Sequence, residues 1–398
     1  MIAGRLPPGL LSVLSVSSSV RPLSRGLPLA SVKQQAFPSR RVTAPGSPSF
    51  SHVRCLASSS ADGDSMSPAV ILGTMTFGWG YSSTKIENKE AGAMLDTFFQ
   101  QGYRDVDTAL TYSSGKTEKI LGELMPQGSE RALKCGVLAT KAGPWKGAGM
   151  SGNGGLAPAE LRNKVELSLG SLQRSSIDLL YLHAPDVETG IEETLQELNT
   201  LHQQGKFKSL GLSNFQAWEV AHIHHLCLAK GYGFKPTVYQ GMYNPVTREV
   251  ERELLPCLRR LGISFYAYNP LAGGILTGKH TPDADPDAGR FKNNKMYQDR
   301  FWKPAFFAAA DKVKAACEAE KVDMVAATFR WMTLHSQLTE KDAVILGASS
   351  LGQLEVNLAA IKNAENLPPA VLAAFDAAWE DCSRDCPSYE RGCSGSAL

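Results

Sequence analysis

Through its first 61 residues the chain has no aspartate or glutamate, while seven Lys and Arg fall there: Arg5, Arg21, Arg25, Lys33, Arg40, Arg41 and Arg54. The remainder carries 34 basic against 39 acidic residues, a net charge of about −5. A mildly acidic body gives no electrostatic reason to expect nucleic-acid binding. The chain has eight cysteines but no Cys-x-x-Cys pair. Cys382, Cys386 and Cys393 cluster without a nearby His, so the ligand spacing of a zinc site is missing and free thiols are expected. A long apolar run is also missing. Leu10–Val20 is the most apolar stretch of the leader, but five of its residues are Ser. It is too short and too polar to span a bilayer, and no membrane segment is expected.

The acid-free leader is rich in Ser, Pro and Arg and shows no sustained period. Such a segment buries too little apolar surface to offset its ordering entropy, which predicts disorder over residues 1–65. Its composition matches an organelle transit peptide. Val53-Arg54-Cys55-Leu56-Ala57 reads as a plastid processing site, so the chloroplast stroma is the expected address, with the mitochondrion as the alternative.

From Ala69 short apolar runs alternate with longer amphipathic stretches. Eight runs read as buried strands: Val70–Gly73, Arg104–Asp107, Cys135–Thr140, Asp178–His183, Ser209–Ser213, Thr237–Gln240, Ser264–Tyr268 and Ala343–Gly347. Their near-continuous apolar character is that of strands covered on both faces. Between them apolar residues recur at helical spacing, as in Leu161, Val165, Leu169 and Leu172. Pro158 opens the helix of Ala159–Leu172, and Asn214 is placed to cap Ala217–Leu228. Eight strand–helix units over about 300 residues predict a single (β/α)8 barrel, an α/β TIM-barrel fold, spanning 66–390 and followed by a tail of 391–398. Gly143–Ala157 and Ala272–Pro304 read as long loops at the C-terminal mouth.

Gly147-Ala148-Gly149-Met150-Ser151-Gly152 satisfies G-x-G-x-x-G, yet no strand leads into it and no helix opens within it. The dinucleotide fingerprint needs both, so the stretch reads as a flexible loop. His222, His224 and His225 lack a carboxylate at ligand spacing and read as a solvated helix surface; no metal is expected.

Asp107 ends the second strand, with Tyr112 five residues on; Lys141 ends the third strand and His183 the fourth. Each alone has a plain structural explanation: a turn cap, a wall tyrosine, a paired lysine, a core histidine. Together, at one end of three consecutive strands, they suit carbonyl reduction. Hydride arriving at a carbonyl carbon builds negative charge on oxygen, which a phenol can protonate. An unperturbed tyrosine, with a pKa of about 10, holds its proton too tightly. A neighbouring ammonium lowers that value, a carboxylate keeps the ammonium charged, and a neutral imidazole donates to the same oxygen.

Asp107-x4-Tyr112, Ala139-Thr140-Lys141, Tyr181-Leu182-His183-Ala184-Pro185-Asp186 and Gly211-Leu212-Ser213-Asn214 resemble successive motifs of the aldo-keto reductases. With Tyr239–Asn244, Tyr268–Gly274 and Arg330-Trp331-Met332 they are most similar to the aflatoxin B1 aldehyde reductase and succinic semialdehyde reductase branch. The resemblance implies an NADPH-dependent oxidoreductase of aldehydes and reactive dicarbonyls, with Tyr112 as general acid, Asp107 and Lys141 as its tuning pair and His183 as orienting donor. It implies that Ser213, Asn214 and Gln240 hold the nicotinamide carboxamide and that Tyr268 stacks on its ring. Asn269, Pro270, Leu271, Ala272 and Gly273 would follow the pyrophosphate, with Lys279 and Arg290 near the phosphates. Gly347, Ser349, Ser350, Gln353 and Asn357 match the adenosine-phosphate end, where a helix N-terminus favours anions; ordinary capping is the competing account of the serines.

The branch often has an acid before that asparagine, where this chain has Val356, so a looser adenosine clamp is expected. Met75 and Trp79 would face the substrate. Trp79 stands where the branch tends to have basic residues, which puts a preference for acidic substrates in doubt. Arg391 reads as part of a solvated tail, with the pocket as the alternative. A homodimer is common in the branch. A cofactor-binding regulatory subunit and a Schiff-base aldolase using Lys141 remain as alternative functions.

Overall fold

The computed structural model describes residues 67–80, 85–145, 155–283 and 290–391. The leader, the Gly147–Gly152 motif, Cys55 and Cys393 lie outside the described residues.

Eight parallel strands close into a barrel in chain order: β1 Ala69–Gly73, β2 Asp105–Asp107, β3 Leu138–Ala142, β4 Ile177–Leu182, β5 Phe207–Ser213, β6 Pro236–Met242, β7 Ser264–Tyr268 and β8 Ala343–Gly347. Closure rests on β1 and β8, which share the sequence Ala-Val-Ile-Leu-Gly and pair in register from Ala69↔Ala343 to Gly73↔Gly347. β-Branched residues suit such doubly covered strands.

Strand side chains alternate, and the alternation makes two cores. One lies inside the barrel and includes Ile71, Ala139, Leu179, Tyr181, Val238, Tyr266 and Ile345. The other lies between strands and helices and includes Leu72, Val106, Leu138, Leu180 and Leu212. Asp107, Lys141, His183, Gln240, Tyr268 and Gly347 share the parity of the inner set. Continuing it toward the C-terminal mouth places all of them on the barrel axis.

The outer layer comprises α1 Asn88–Gln100, α2 Lys116–Leu124, α3 Glu130–Lys134, α4 Pro158–Leu172, α5 Ile191–Gln203, α6 Ala217–Ala229, α7 Leu254–Leu261, α8 Lys295–Phe301, α9 Pro304–Ala319, α10 Met324–Arg330, α11 Leu351–Lys362 and α12 Pro369–Cys382. Helix α4 shows how the sequence makes them. Pro158 occupies its first turn, where no amide proton is needed. Leu161, Val165, Leu169 and Leu172 are all buried, each contributing about 1.5–3 kcal/mol.

Several local expectations are corrected. Strand β3 begins and ends later than expected, so Lys141 is its penultimate residue rather than its end. The stretch from Ala272 to Pro304 contains a 3-10 turn at Ala272–Thr277 and helix α8, capped by the Asn294 side chain. Asn214 does not cap α6. Gln216 does, in a reciprocal box with Glu219, because Asn214 is committed elsewhere. His224 is buried rather than solvated, and its ring meets that of His225 edge-on. Among the described residues no cluster of three potential metal ligands occurs, the six cysteines are free, and no helix is long and apolar enough to cross a membrane.

Candidate active site

Lys141 and Asp107 lie at the bottom of the site, Lys141 without any exposure. Lys141 Nζ donates to Asp107 Oδ1 at 2.5 Å and to the Thr108 carbonyl at 2.7 Å. The other Asp107 oxygen accepts from Gln240 Nε2 at 2.8 Å. Burial raises the Asp107 carboxyl and lowers the Lys141 amine, each against the pull of its partner. The ammonium lies 5.0 Å from the centroid of the Tyr112 ring and 5.5 Å from that of Tyr181.

Tyr112 is presented by a tight turn. Ser113 (φ 48°), Ser114 (φ 56°) and Gly115 (φ 85°) are successively left-handed. Such conformations cost about 1 kcal/mol or more for each non-glycine residue. Ser113 Oγ and Thr117 Oγ1 both donate to the Phe77 carbonyl, at 2.9 and 2.8 Å, and hold the turn in place. Burial pushes the phenol well above its ordinary value, Asp107 and Tyr297 push it further, and Arg290 opposes them. Tyr112 is therefore a protonated donor here, chiefly because it is buried.

His183 meets Tyr112 edge-on, with ring centroids 6.0 Å apart. Burial, with Lys141 and Arg391 adding to it, pushes the imidazole well below its ordinary value, so it is neutral. Its Nδ1 has no partner among the described residues.

Above these residues opens a cleft of about 1000 Å³. All the residues expected at the site line it except Lys141, which lies beneath, Ala272, which is buried in the turn after β7, and Ser350, which caps the following helix. Asn214 and Asn269 both follow strands in left-handed conformations that asparagine tolerates. Asn214 donates to the His183 carbonyl and Ser213 Oγ and accepts from the Tyr268 hydroxyl. Gln240, expected at the carboxamide, spends its amide nitrogen on Asp107. Arg290, expected at the phosphates, reaches Met75 Sδ and the Tyr297 hydroxyl, both at 2.9 Å, and lies near Trp79. Ser350 caps α11, while Ser349 binds Gln353 Oε1 through its amide and hydroxyl. Ordinary capping therefore accounts for Ser350. Val356 is exposed at this end of the cleft.

Sequence reasoning missed Trp145, Tyr297 and Arg300, which also line the cleft. The last two lie on α8, whose signal was available: an Asn294 cap followed by Tyr297 and Phe301 four residues apart. Arg391 is corrected from a solvated tail to a cleft residue, anchored by its amide on the Asn214 carbonyl at 2.9 Å. The charged and phenolic groups facing Arg300 are Arg391, Tyr268 and Tyr297. Among the described residues Asp107 is the only acid lining the cleft, against Lys279, Arg290, Arg300 and Arg391.

Behind the site, Glu118 on α2 is fully buried and accepts from Thr140 Oγ1 at 2.5 Å. Burial raises its carboxyl to about 7, against hydrogen bonds from Thr140 and Ser168 and the charge of Lys141.

Comparison with known proteins places these features among relatives. The model of the "Aldo/keto reductase family" matches residues 69–380. The chain is 47% identical over 345 residues to "Aflatoxin B1 aldehyde reductase member 2" of Mus musculus, covering 83% of this chain and 90% of that protein. It is 46% identical over 336 residues to "Aflatoxin B1 aldehyde reductase member 4" of Homo sapiens, covering 81% and 97%. "Aldo-keto reductase family 7 member A3" of Homo sapiens is likewise 46% identical over 338 residues, covering 81% and 97%.

Glu118 binds its proton more tightly in the fold than in the unfolded chain. Its contribution to stability is complete below about 4.5 and is lost as pH rises toward about 7. In Glu118→Gln that loss disappears. Melting temperatures at pH 5 and pH 8 check this: the wild type should fall further than the variant between the two, and equal falls would contradict it.

Proposed function

The chain belongs to the aldo/keto reductase family, and from that premise we propose that it reduces aldehydes and reactive dicarbonyls to alcohols with NADPH, Tyr112 giving the proton. The observation that carries the reading is the open Tyr112 phenol beside neutral His183 and above the buried Lys141–Asp107 pair. The cleft's residues fit a dinucleotide. Asn269 Nδ2 is buried with no acceptor among the described residues. Gly273 (φ 69°) adopts a conformation closed to most side chains, and a Cβ there would lie 3.0 Å from Tyr297. Lys279, Arg290 and the start of α11 at Ser350 provide positive potential for phosphates.

NADPH supplies the hydride when bound. The chain's own residues do the rest. Tyr112 passes its proton to the carbonyl oxygen as negative charge gathers there. His183 is neutral, so it donates a hydrogen bond to the same oxygen without adding a charge. Lys141 stays charged through Asp107 and stabilises the phenolate left on Tyr112. Trp79 and Trp145 wall the carbonyl end with apolar surface.

Against the doubt raised by Trp79 about acidic substrates stand two cations from a different part of the chain. Arg300 and Arg391 supply cationic groups at the cleft, one from α8 and one from beyond α12. An aldehyde carrying a carboxylate, such as succinic semialdehyde, is accordingly a favoured substrate in this reading. The same reading keeps a plastid address for the acid-free leader, on composition alone.

In Tyr112→Phe, turnover with 2-nitrobenzaldehyde should fall by about 10² to 10⁴, with NADPH affinity by fluorescence titration within about twofold. Wild-type turnover in that variant removes Tyr112 from the mechanism. A wild-type protein that binds NADPH tightly but turns over no aldehyde would favour a regulatory subunit instead.

Arg300→Gln should raise the KM for succinic semialdehyde about tenfold while sparing a neutral aldehyde. Steady-state kinetics on the pair of substrates reads this directly; an equal rise for both refutes the acidic preference.

A further inference from the structure

Lys164 lies on α4, outside the reacting cluster, and is only 2% exposed. Its ammonium faces carbonyl oxygens: Nζ donates to Gly143 O at 2.9 Å and also to Gly155 O. Gly143 begins the connection from β3 to α4, and Gly155 lies where that connection returns. Lys164 therefore ties its two feet together. Other bonds brace the same neck. Gly155 N donates to Pro144 O at 2.7 Å. Leu156 N donates to Asp186 Oδ2 at 2.6 Å, and Thr194 Oγ1 donates to Leu156 O at 3.1 Å.

The neck carries Trp145 into the cleft. Its indole meets the His183 ring edge-on, with centroids 4.9 Å apart at 80°. His183 thus lies between Tyr112, at 6.0 Å, and Trp145, at 4.9 Å. The indole also folds back over Gly143. A Cβ there would lie 2.6 Å from the Trp145 ring and 3.3 Å from His183 Cβ, so glycine is needed at this foot. A buried ammonium is costly unless it is satisfied. Burial lowers the Lys164 amine, with Glu160 and Asp186 opposing. That cost falls at the point where one side chain can bond both feet.

From this geometry we infer that Lys164 is a positioning residue for substrate selection: by clamping Gly143 to Gly155 it fixes Trp145 as the wall against which a bulky aldehyde is held beside Tyr112 and His183. A small dicarbonyl presents less surface to that wall and depends on it less. Loosening the clamp lets the indole move, so large substrates lose alignment while small ones keep theirs. This inference rests on the carbonyl-reductase reading of the same cleft.

The test compares kcat/KM for 2-nitrobenzaldehyde and methylglyoxal in the full-length wild type, Lys164→Met, Lys164→Arg, Trp145→Ala and the Lys164→Met/Trp145→Ala pair, all at saturating NADPH. In Lys164→Met the value for 2-nitrobenzaldehyde should fall about tenfold and that for methylglyoxal by no more than about twofold. Lys164→Arg, which can donate to both carbonyls, should recover most of the loss. Trp145→Ala should lose the same preference, and the double variant should lose no more than Trp145→Ala alone. Equal losses on both aldehydes, or none, overturn the clamp, as does a double variant with fully additive losses. Should Lys164→Met fail to melt cooperatively, Lys164→Gln, which keeps a neutral donor, provides the same comparison. Wild-type turnover of either aldehyde tests the reductase reading separately. If the wild type reduces neither, calorimetric dissociation constants for the two aldehydes with NADPH present decide the clamp by the same ratio.

Discussion

An ion pair buried inside a barrel is the constraint on which the site depends. Lys141 has no exposure and Asp107 almost none. Removing either partner of such a pair costs about 3–5 kcal/mol, because the survivor is left charged and dry. The remaining bonds of the pair are therefore filled as well. Lys141 takes the Thr108 carbonyl, and the second Asp107 oxygen takes Gln240. Tyr181 packs below the ammonium, and room for its ring is made by Gly211, where a Cβ would lie 2.4 Å away. Four strands, β2 to β4 and β6, are tied to one charge pair, with β5 yielding space. Tyr112 rests on that platform, and its strained turn is held from outside by the Phe77 carbonyl.

The electrostatic order above the platform follows. Within the barrel, charge is balanced and His183 is neutral. At the mouth, Lys279, Arg290, Arg300 and Arg391 face a cleft whose only acidic wall residue, among those described, is already engaged by Lys141. The cleft is thus lined by more cationic than anionic side chains, an arrangement that favours anionic ligands. Arg300 and Arg391 come from segments added around the barrel rather than from its strands. Specificity can thus change without disturbing the pair beneath.

Much of this was legible in the sequence because strand parity is a rigid rule. Once Leu179 and Tyr181 point inward, His183 follows them, and the same step of two connects Ala139 to Lys141 and Val238 to Gln240. The limits were equally physical. Capping depends on competition: Asn214 looked like the start of α6, but three partners in the cleft claim its side chain. Helix α8 has only seven residues, too few to establish a period against a stretch rich in Lys, Asn and Asp. Arg391 is placed by a single backbone bond to Asn214, a contact between positions far apart in the chain. The proton affinity of Tyr112 is raised first by burial and then by Asp107 and Tyr297, and none of this is visible in spacing. Lys164 carries no signal in the sequence; only the fold shows that it meets the carbonyls of Gly143 and Gly155.

The central claim is that the Asp107, Tyr112, Lys141 and His183 cluster carries out hydride reduction of a carbonyl, with the buried pair sustaining the proton donor. Single-turnover transfer of deuterium from the nicotinamide C4 of NADPH to 2-nitrobenzaldehyde tests it directly, with the alcohol analysed by mass spectrometry. The account predicts one deuterium on the carbinol carbon, and a much slower transfer in Lys141→Met that still binds NADPH. An alcohol without deuterium, or a Lys141→Met protein as fast as the wild type, would contradict it.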